Sequence, residues 1–447
     1  MFKKVFIANR GEIALRIIRT LREMGIPSVL ACSTVDASSL PARLADEKVC
    51  IGPPQAKESY LNIPALMSAV EMSKADAIHP GYGFLSENHN FAEICRNVNV
   101  KFIGPEPEVI ELLGNKIKAR EIAEKAGVPV VPGKFVEAED DDELIIFGEQ
   151  IGFPVVIKAA MGGGGRGMKI IRDMNDFKKY LEIARSEAKA AFGDGTVYLE
   201  KYFENARHIE VQLLADEHGN IVPLGERECS IQRRFQKIIE ESPSPAVDEK
   251  IRSQLFESAI AIAKSVNYTN SGTVEFLLVD RKFYFLEVNT RLQVEHPVTE
   301  CLTGIDIVKE QIRIAAGEKL AITEKKVKFN GSVFEARVNA EDPLKFTPSP
   351  GPVSLFIPPG GRGVRVDSAI YSGYEVPPFY DSLIAKIIVS GSDREEARKR
   401  MLRALRECVV EGINTNISLL LKIFSDEEFS RGEIHTRFLD KFIPEAK

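Results

Sequence analysis

The chain opens with a short apolar run, Val5 to Ala8, followed by a segment from Glu12 to Met24 in which Ile13, Ile17, Leu21 and Met24 recur at helical spacing. That spacing puts the four side chains on one face of a helix, which Gly25 and Pro27 then stop. Ser28 to Cys32 reads as a second buried strand, so the chain begins as a β-α-β unit. The alternation continues past Asp76-Ala77-Ile78-His79 and Val100 to Gly104, predicting a doubly wound, Rossmann-like α/β sheet to about residue 112. The first turn, Asn9-Arg10-Gly11-Glu12, lacks the dinucleotide glycine fingerprint, so this scaffold is expected to hold no nicotinamide.

From Gly114 the pattern changes. A helix from Lys116 to Ala126 is followed by an acidic stretch, Glu137 to Glu143, that reads as a solvated helix start. Strand-like runs from Val155 through Ile171, near Tyr198, from Ile209 to Leu214 and from Gly272 to Val288 predict α+β structure on antiparallel strands. After roughly residue 330 the chain turns rich in Pro and Gly and closes with a helix from Arg394 to Cys408, which makes a third unit. Three units suit 447 residues at about 150 residues per domain.

Composition narrows the class. Hydrophobic residues at 44% and charged residues at 28% describe a folded globular chain. The net charge of -6 gives no basic footprint, so neither nucleic acid nor a membrane is an expected partner. The six cysteines form no C-x-x-C pair, and the first residues do not make a signal peptide, so reduced thiols and a cytoplasmic location are expected.

The sharpest local signal is the loop Lys158-Ala159-Ala160-Met161-Gly162-Gly163-Gly164-Gly165-Arg166-Gly167-Met168. It formally contains G-x-G-x-x-G, but strand-like residues follow where the dinucleotide motif needs a helix, and no Walker sequence occurs. A glycine hairpin that closes backbone N–H groups over phosphates, with Lys158 beneath, is preferred to an ordinary flexible loop. A second constellation is Glu275, Glu287, Asn289 and Arg291. Closing the hairpin with a three-residue loop, Asp280-Arg281-Lys282, pairs 279 with 283 and therefore 275 with 287. Two facing carboxylates repel unless a cation sits between them, and Mg²⁺ held by both, by the Asn289 amide and by phosphates answers that. The alternative, two exposed Glu on a surface hairpin, is weakened by the apolar neighbours Phe276, Leu277, Phe285, Leu286 and Val288. Downstream, Arg291-Leu292-Gln293-Val294-Glu295 sets a cation and a carboxylate where a small anion and a general base would be useful, and Arg233-Arg234-Phe235-Gln236-Lys237 adds a basic cluster. His79, His89, His218 and His435 read as structural or exposed, whereas His208 starts a strand near Glu200 and Lys201.

With Ala8-Asn9-Arg10-Gly11-Glu12-Ile13-Ala14, His79-Pro80-Gly81-Tyr82-Gly83-Phe84-Leu85-Ser86-Glu87-Asn88, Gln232-Arg233-Arg234 and Glu287 through Glu300, these residues resemble biotin carboxylase, a family of the ATP-grasp superfamily. The resemblance runs nearly end to end. It implies a Rossmann-like N-terminal domain (1–112), an ATP-grasp domain (113–329) with a mobile glycine-rich lid at about 131–203, and a smaller C-terminal α+β domain (330–447). It implies ATP-dependent conversion of bicarbonate to carboxyphosphate, whose CO₂ carboxylates the ureido nitrogen of biotin.

By resemblance, Lys116, Lys158, Gly164 and Gly165 bind ATP phosphates, and Glu200, Lys201, Tyr202 and Phe203 form the adenine linker with His208 and Phe235 nearby. Glu275 and Glu287 bridge Mg²⁺ or Mn²⁺ ions with Asn289 assisting. Lys237, Arg291, Gln293 and Val294 match the bicarbonate site, Glu295 the base that deprotonates it, and Arg337 the residue that stabilises the biotin enolate. Tyr82 falls among the substrate-binding positions. Phe235 stands where bacterial relatives commonly have His, and Met161 where some have Gly. The biotin-bearing Ala-Met-Lys-Met is absent, so the expected partners are a separate biotin carboxyl carrier protein, carboxyltransferase subunits of acetyl-CoA carboxylase or a related enzyme, and a second copy of the chain, for which Arg16, Arg19 and Glu23 are candidate contacts. A carbamoyl-phosphate synthetase half and a non-catalytic nucleotide-binding regulator are the rival readings.

Overall fold

The computed structural model describes residues 1–135, 141–159, 168–192, 195–233 and 236–443. Gly164, Gly165, Met161 and Phe235 therefore lie outside the described residues, as do Glu137 and its neighbours.

The first unit is a parallel sheet of β1 (Val5–Ile7), β2 (Ser28–Cys32), β3 (Glu47–Cys50), β4 (Ala77–His79) and β5 (Lys101–Phe102), ordered β3-β2-β1-β4-β5. The helix Gly11–Glu23 connects β1 to β2 and buries Ile13, Ile17 and Leu21, the stripe its spacing predicts. A four-stranded antiparallel sheet follows: β6 (Gly133–Phe135), β7 (Val155–Ala159), β8 (Lys169–Ile171) and β9 (Val197–Lys201), in the order β6-β9-β7-β8. Its apolar face closes over Leu144, Phe177, Leu181 and Ala184 of the helices Asp141–Ile151 and Phe177–Phe192.

The centre is an eight-stranded sheet that crosses the expected boundary near residue 330. β10 (Arg207–Ala215), β11 (Ile221–Arg233), β12 (Gln236–Ser242), β13 (Asn270–Val279) and β14 (Lys282–Asn289) form one half of it. β15 (Ser332–Asn339) then pairs antiparallel with β12, so the late part of the chain extends the sheet instead of building its own. After two short ladders, β16 (Gly351–Pro352) with β19 (Glu375–Val376) and β17 (Leu355–Ile357) with β21 (Val409–Glu411), the sheet is completed by β18 (Val364–Ser368) and β20 (Leu383–Gly391). Packing follows the shared sheet: Ile231, Ile238 and Ile239 belong to the same core as Phe334, Ile387, Met401 and Phe424. Likewise Ile7, Ile17 and Leu21 of the first unit share a core with Leu214, Leu224, Leu292 and Ile312.

Two expectations are corrected here. The helix Arg394–Glu407 does not close the chain, because the apolar helix Ile417–Phe424 follows and buries Leu420, Ile423 and Phe424. The β13–β14 hairpin has a two-residue turn, not three: Val279 pairs with Lys282, and Asp280 and Arg281 both take positive φ, 47° and 65°. That is the backbone of a type I′ turn, which matches strand twist. Taken alone it would set Glu275 opposite Leu286, but a bulge next to Phe276 absorbs one residue and restores Glu275 opposite Glu287.

Candidate active site

A cleft of about 900 Å³ lies between the units, reached by Arg10 and Tyr82 from the first, by Lys116, Lys158 and Glu200 from the second, and by Arg337 and Ser382 from the last part of the chain. One face of the central sheet supplies its floor. Because side chains alternate along a strand, cross-strand partners share a face, and the register places Arg227, Glu210, Glu275 and Glu287 in one row across four strands.

Lys237, on β12 and outside this row, reaches its middle with Nζ. Its Nζ donates to Glu275 Oε1 at 2.8 Å, to Glu295 Oε1 at 2.7 Å and to Glu210 Oε2. Burial disfavours its charge, but the three carboxylates outweigh that and push its pKa well up. The same exchange acts on the acids. Burial raises Glu275 and Glu295, yet Lys237 with His208 for the first, and Lys237 with Arg337 and Arg227 for the second, hold both below the usual carboxylate range. His208 Nε2 lies 3.1 Å from Glu275 Oε2, and that carboxylate pulls its pKa up against burial.

Glu287 differs. Its side chain keeps 37% of its exposure and opens to the cleft, 3.7 Å from Lys116 Nζ. Burial within the site and the facing Glu275 carboxylate push its pKa up, so the pair has room for a further cation. Oxygen ligands from two carboxylates suit a hard divalent ion. Asn289 is partly engaged already: its amide nitrogen donates to Glu275 Oε1 at 2.9 Å and its oxygen accepts from Arg291 at 3.0 Å.

Arg291 also donates to Gln293 Oε1 at 2.9 Å and pairs with Glu87 Oε2 at 2.9 Å, while Gln293 donates to Glu275. Glu295 stands at the N-cap position of the helix His296–Thr303, and the backbone carbonyl of Val294 accepts from the buried Lys386. Arg337 on β15 bridges Glu240 Oε1 at 2.7 Å and Glu295 Oε2 at 2.8 Å. Tyr82 hydrogen-bonds Glu12, and its loop is fixed by Asn9, which donates to the carbonyls of Pro80 and Tyr82 at 2.7 and 2.8 Å. Gly81 makes this possible: at φ +63° its missing Cβ would lie 2.9 Å from the Asn9 amide.

On the other side of the cleft, Lys158 Nζ pairs with Glu200 at 2.6 Å, and Lys116 begins the helix Lys116–Lys125, capped by Asn115. Lys201 Nζ donates to the carbonyls of Gly152 and Phe153, and Phe203 stacks on Tyr284 with ring centroids 5.3 Å apart. Tyr202 lines the same wall. Apart from Gly164, Gly165 and Phe235, the residues expected to bind nucleotide, metal, bicarbonate or biotin all line one cleft. Sequence reasoning missed Glu210, Arg227, Glu240 and Lys386. For Glu210 a signal existed: His208-Ile209-Glu210-Val211-Gln212 alternates polar and apolar, and all five residues are buried in the strand. Arg16 pairs within the chain with Glu300 at 2.9 Å and Asp306 at 2.7 Å, while Arg19, Arg22 and Glu23 are the exposed charges of that helix.

A four-stranded antiparallel sheet folded against a carboxylate-lined floor is the architecture of the ATP-grasp class of ATP-dependent ligases. Residues 1–110 match the description "Biotin carboxylase, N-terminal domain", 335–441 "Biotin carboxylase C-terminal domain" and 115–323 "Carbamoyl-phosphate synthase L chain, ATP binding domain". The chain is 51% identical to biotin carboxylase 1 of Bacillus subtilis over 445 residues, 99% of each chain. Its structure superposes on a biotin carboxylase from Campylobacter jejuni in a beta-gamma-ATP complex with a TM-score of 0.96 and 47% identity over 99% of each chain. The biotin carboxylase domain dimer of Hydrogenobacter thermophilus 2-oxoglutarate carboxylase, in complex with MgADP, ADP and bicarbonate, gives a TM-score of 0.95 and 46% identity over 99% of this chain and 98% of that one. The chain belongs to the biotin carboxylase family.

Proposed function

We infer that the protein uses ATP to activate bicarbonate and transfers the resulting CO₂ to the ureido nitrogen of biotin carried by a separate carrier protein. The observation that supports this most directly is the contact of Glu295 with both Lys237 and Arg337. A base held between two cations is ionised at neutral pH but weakly basic. An incoming bicarbonate that takes up Lys237 and Arg291 loosens the hold on Glu295 and strengthens it as the acceptor of the bicarbonate proton. The oxygen so freed attacks the γ-phosphorus as its bond to the β-phosphate oxygen breaks and ADP leaves, giving carboxyphosphate that breaks down to CO₂ and phosphate, while Lys116 and Lys158 neutralise charge on the phosphates. Glu275 and Glu287, with Asn289, would hold Mg²⁺ or Mn²⁺, which supplies further charge neutralisation on the phosphates when bound. Arg337 serves the later step, in which a guanidinium placed at the ureido oxygen stabilises negative charge there as the ring nitrogen gives its proton to the released phosphate and bonds CO₂. Tyr82 and Gln293 bound the substrate end of the cleft; Tyr202, Phe203 and His208 bound the nucleotide end.

A cytoplasmic homodimer working with a carrier and a carboxyltransferase completes the reading. None of the described helices is long and apolar enough to cross a membrane. The test is ADP release by the purified protein with ATP, Mg²⁺ and bicarbonate. Free biotin should accelerate it. Absence of stimulation at any biotin concentration, with nucleotide binding intact, would overturn the reading, and bicarbonate-supported carbamoyl phosphate formation from ammonia would replace it.

A further inference from the structure

Beside Arg337 lies a feature that this reading does not use. Glu240 on β12 and Glu335 on β15 are direct cross-strand partners, so both carboxyls occupy the same face of the sheet at one level. Both are fully buried, at 0% exposure. Glu240 Oε1 accepts from Arg337, but Glu240 Oε2 and both oxygens of Glu335 lack a hydrogen-bond donor among the described residues. Three orphaned carboxylate oxygens on two facing residues make a costly arrangement if both are ionised, because like charges meet in a site sealed from water. One proton between them removes the difficulty. A carboxylic acid on Glu335 would donate to Glu240 Oε2, which engages two of the three oxygens and leaves the pair with a single charge for Arg337.

We propose that Glu335 is a positioning residue that works as a neutral carboxylic acid, sharing one proton with Glu240 so that Glu240 holds the Arg337 guanidinium beside Glu295 in the cleft. The groups around the pair are consistent with this. Lys386 on β20 and Arg337 on β15 lie near Glu335, and Glu295 faces the pair from the loop before its helix. Lys237 approaches Glu240 along β12. Lys386 is itself engaged, by Glu12 at 2.9 Å and by the Val294 carbonyl at 2.8 Å. Burial, and then Glu240, push the Glu335 carboxyl well above the usual range against the pull of Lys386 and Arg337. Burial pushes Glu240 up to about 7 despite Arg337. The pair therefore keeps its proton at neutral pH and loses it on the alkaline side.

The role assigned to Arg337 rests on the proposed function, but the protonation state does not, and the experiment separates the two. Infrared spectra of the folded protein at neutral pH should show a carboxylic-acid C=O band that shifts in D₂O and disappears in Glu335→Gln. A wild-type minus Glu335→Gln difference containing only carboxylate bands would overturn the proposal. In kinetics, Glu335→Gln keeps a neutral donor and should retain biotin-dependent kcat within about twofold, whereas Glu335→Ala should lower it by up to roughly a hundredfold, the cost of a misplaced group, without changing KM for ATP. Biotin-dependent kcat of the wild type should fall on the alkaline side, and Glu335→Gln should lack that limb. Equal loss in the Gln and Ala variants would show that the ionised form does the work, and full activity in Glu335→Ala would remove the positioning role. If biotin stimulates none of the proteins, the functional reading fails while the infrared result still decides the state of the pair.

Discussion

Glu295 and Arg337 are bound to each other, and this bears on how the two half-reactions can be separated. Removing Glu295 leaves bicarbonate with its proton and strips Lys237 of one counter-charge. Glu295→Ala should therefore depress bicarbonate-dependent ATP cleavage and biotin carboxylation together, by roughly the hundredfold to ten-thousandfold typical of a lost acid–base group. Removing Arg337 withdraws the cation expected at the ureido oxygen, a loss of roughly a hundredfold to a thousandfold. It also raises Glu295, since one of the cations that hold it down is gone. Arg337→Ala should thus cut biotin carboxylation far more deeply than ATP cleavage, with the acid limb of ATP cleavage moved to higher pH. The sign follows from the depressed value: the native Glu295 is ionised above its folded pKa, and both its charge and its contribution to stability are lost only as pH falls through that low value. Equal loss of both activities in the Arg337 variant would show that the residue serves the first half-reaction instead.

At the scale of elements, the helix Lys116–Lys125 shows how a cap becomes part of a binding site. Asn115 accepts from the backbone N–H groups of Ile117 and Lys118 at 3.0 and 3.1 Å, and this fixes the helix start at Lys116, whose side chain reaches toward Glu287. Asn115→Ala should destabilise that helix by about 1 kcal/mol and raise KM for ATP while leaving kcat nearly unchanged. An unchanged KM would mean that the cap does not govern Lys116. The same scale shows what the sequence could reveal. Short apolar runs located β1 and β2, which are buried at every residue, and the 3.6-residue spacing located the helix between them, which buries one stripe. The Glu275–Glu287 pairing was legible, but from an incorrect turn length: nothing in Phe283-Tyr284-Phe285-Leu286 marks a bulge, which is a response to strand twist and neighbouring strands. Arg16 read as a surface charge because Glu300 and Asp306 lie far along the chain and only the packing of two units brings them to it.

For the whole molecule, the contact that ties the units to the site is Lys386. Its side chain is fully buried, and from β20 it pairs with Glu12 at the start of the first helix while donating to the Val294 carbonyl, next to Glu295. One ammonium therefore fixes the first unit, the central sheet and the loop that carries Glu295 relative to one another. Glu12 in turn hydrogen-bonds Tyr82, so the same charge reaches the far wall of the cleft. Burial works against the ammonium, but Glu12 and Asp367 hold its pKa above the ordinary lysine value. A raised folded value means that its stabilisation is present below the unfolded lysine pKa and is lost only as pH climbs through the strongly alkaline range. Replacing one partner of a buried ion pair leaves the other charge unpaired, so Lys386→Met should cost about 3–5 kcal/mol of stability, read as a lower denaturant midpoint. Neutralising the remaining charge in Glu12→Gln/Lys386→Met should recover part of that loss. KM for bicarbonate should rise in the single variant and stay raised in the double one, because the Val294 carbonyl has lost its donor in both. A double variant that recovers stability and bicarbonate affinity together would show that Lys386 reaches the site through Glu12 alone.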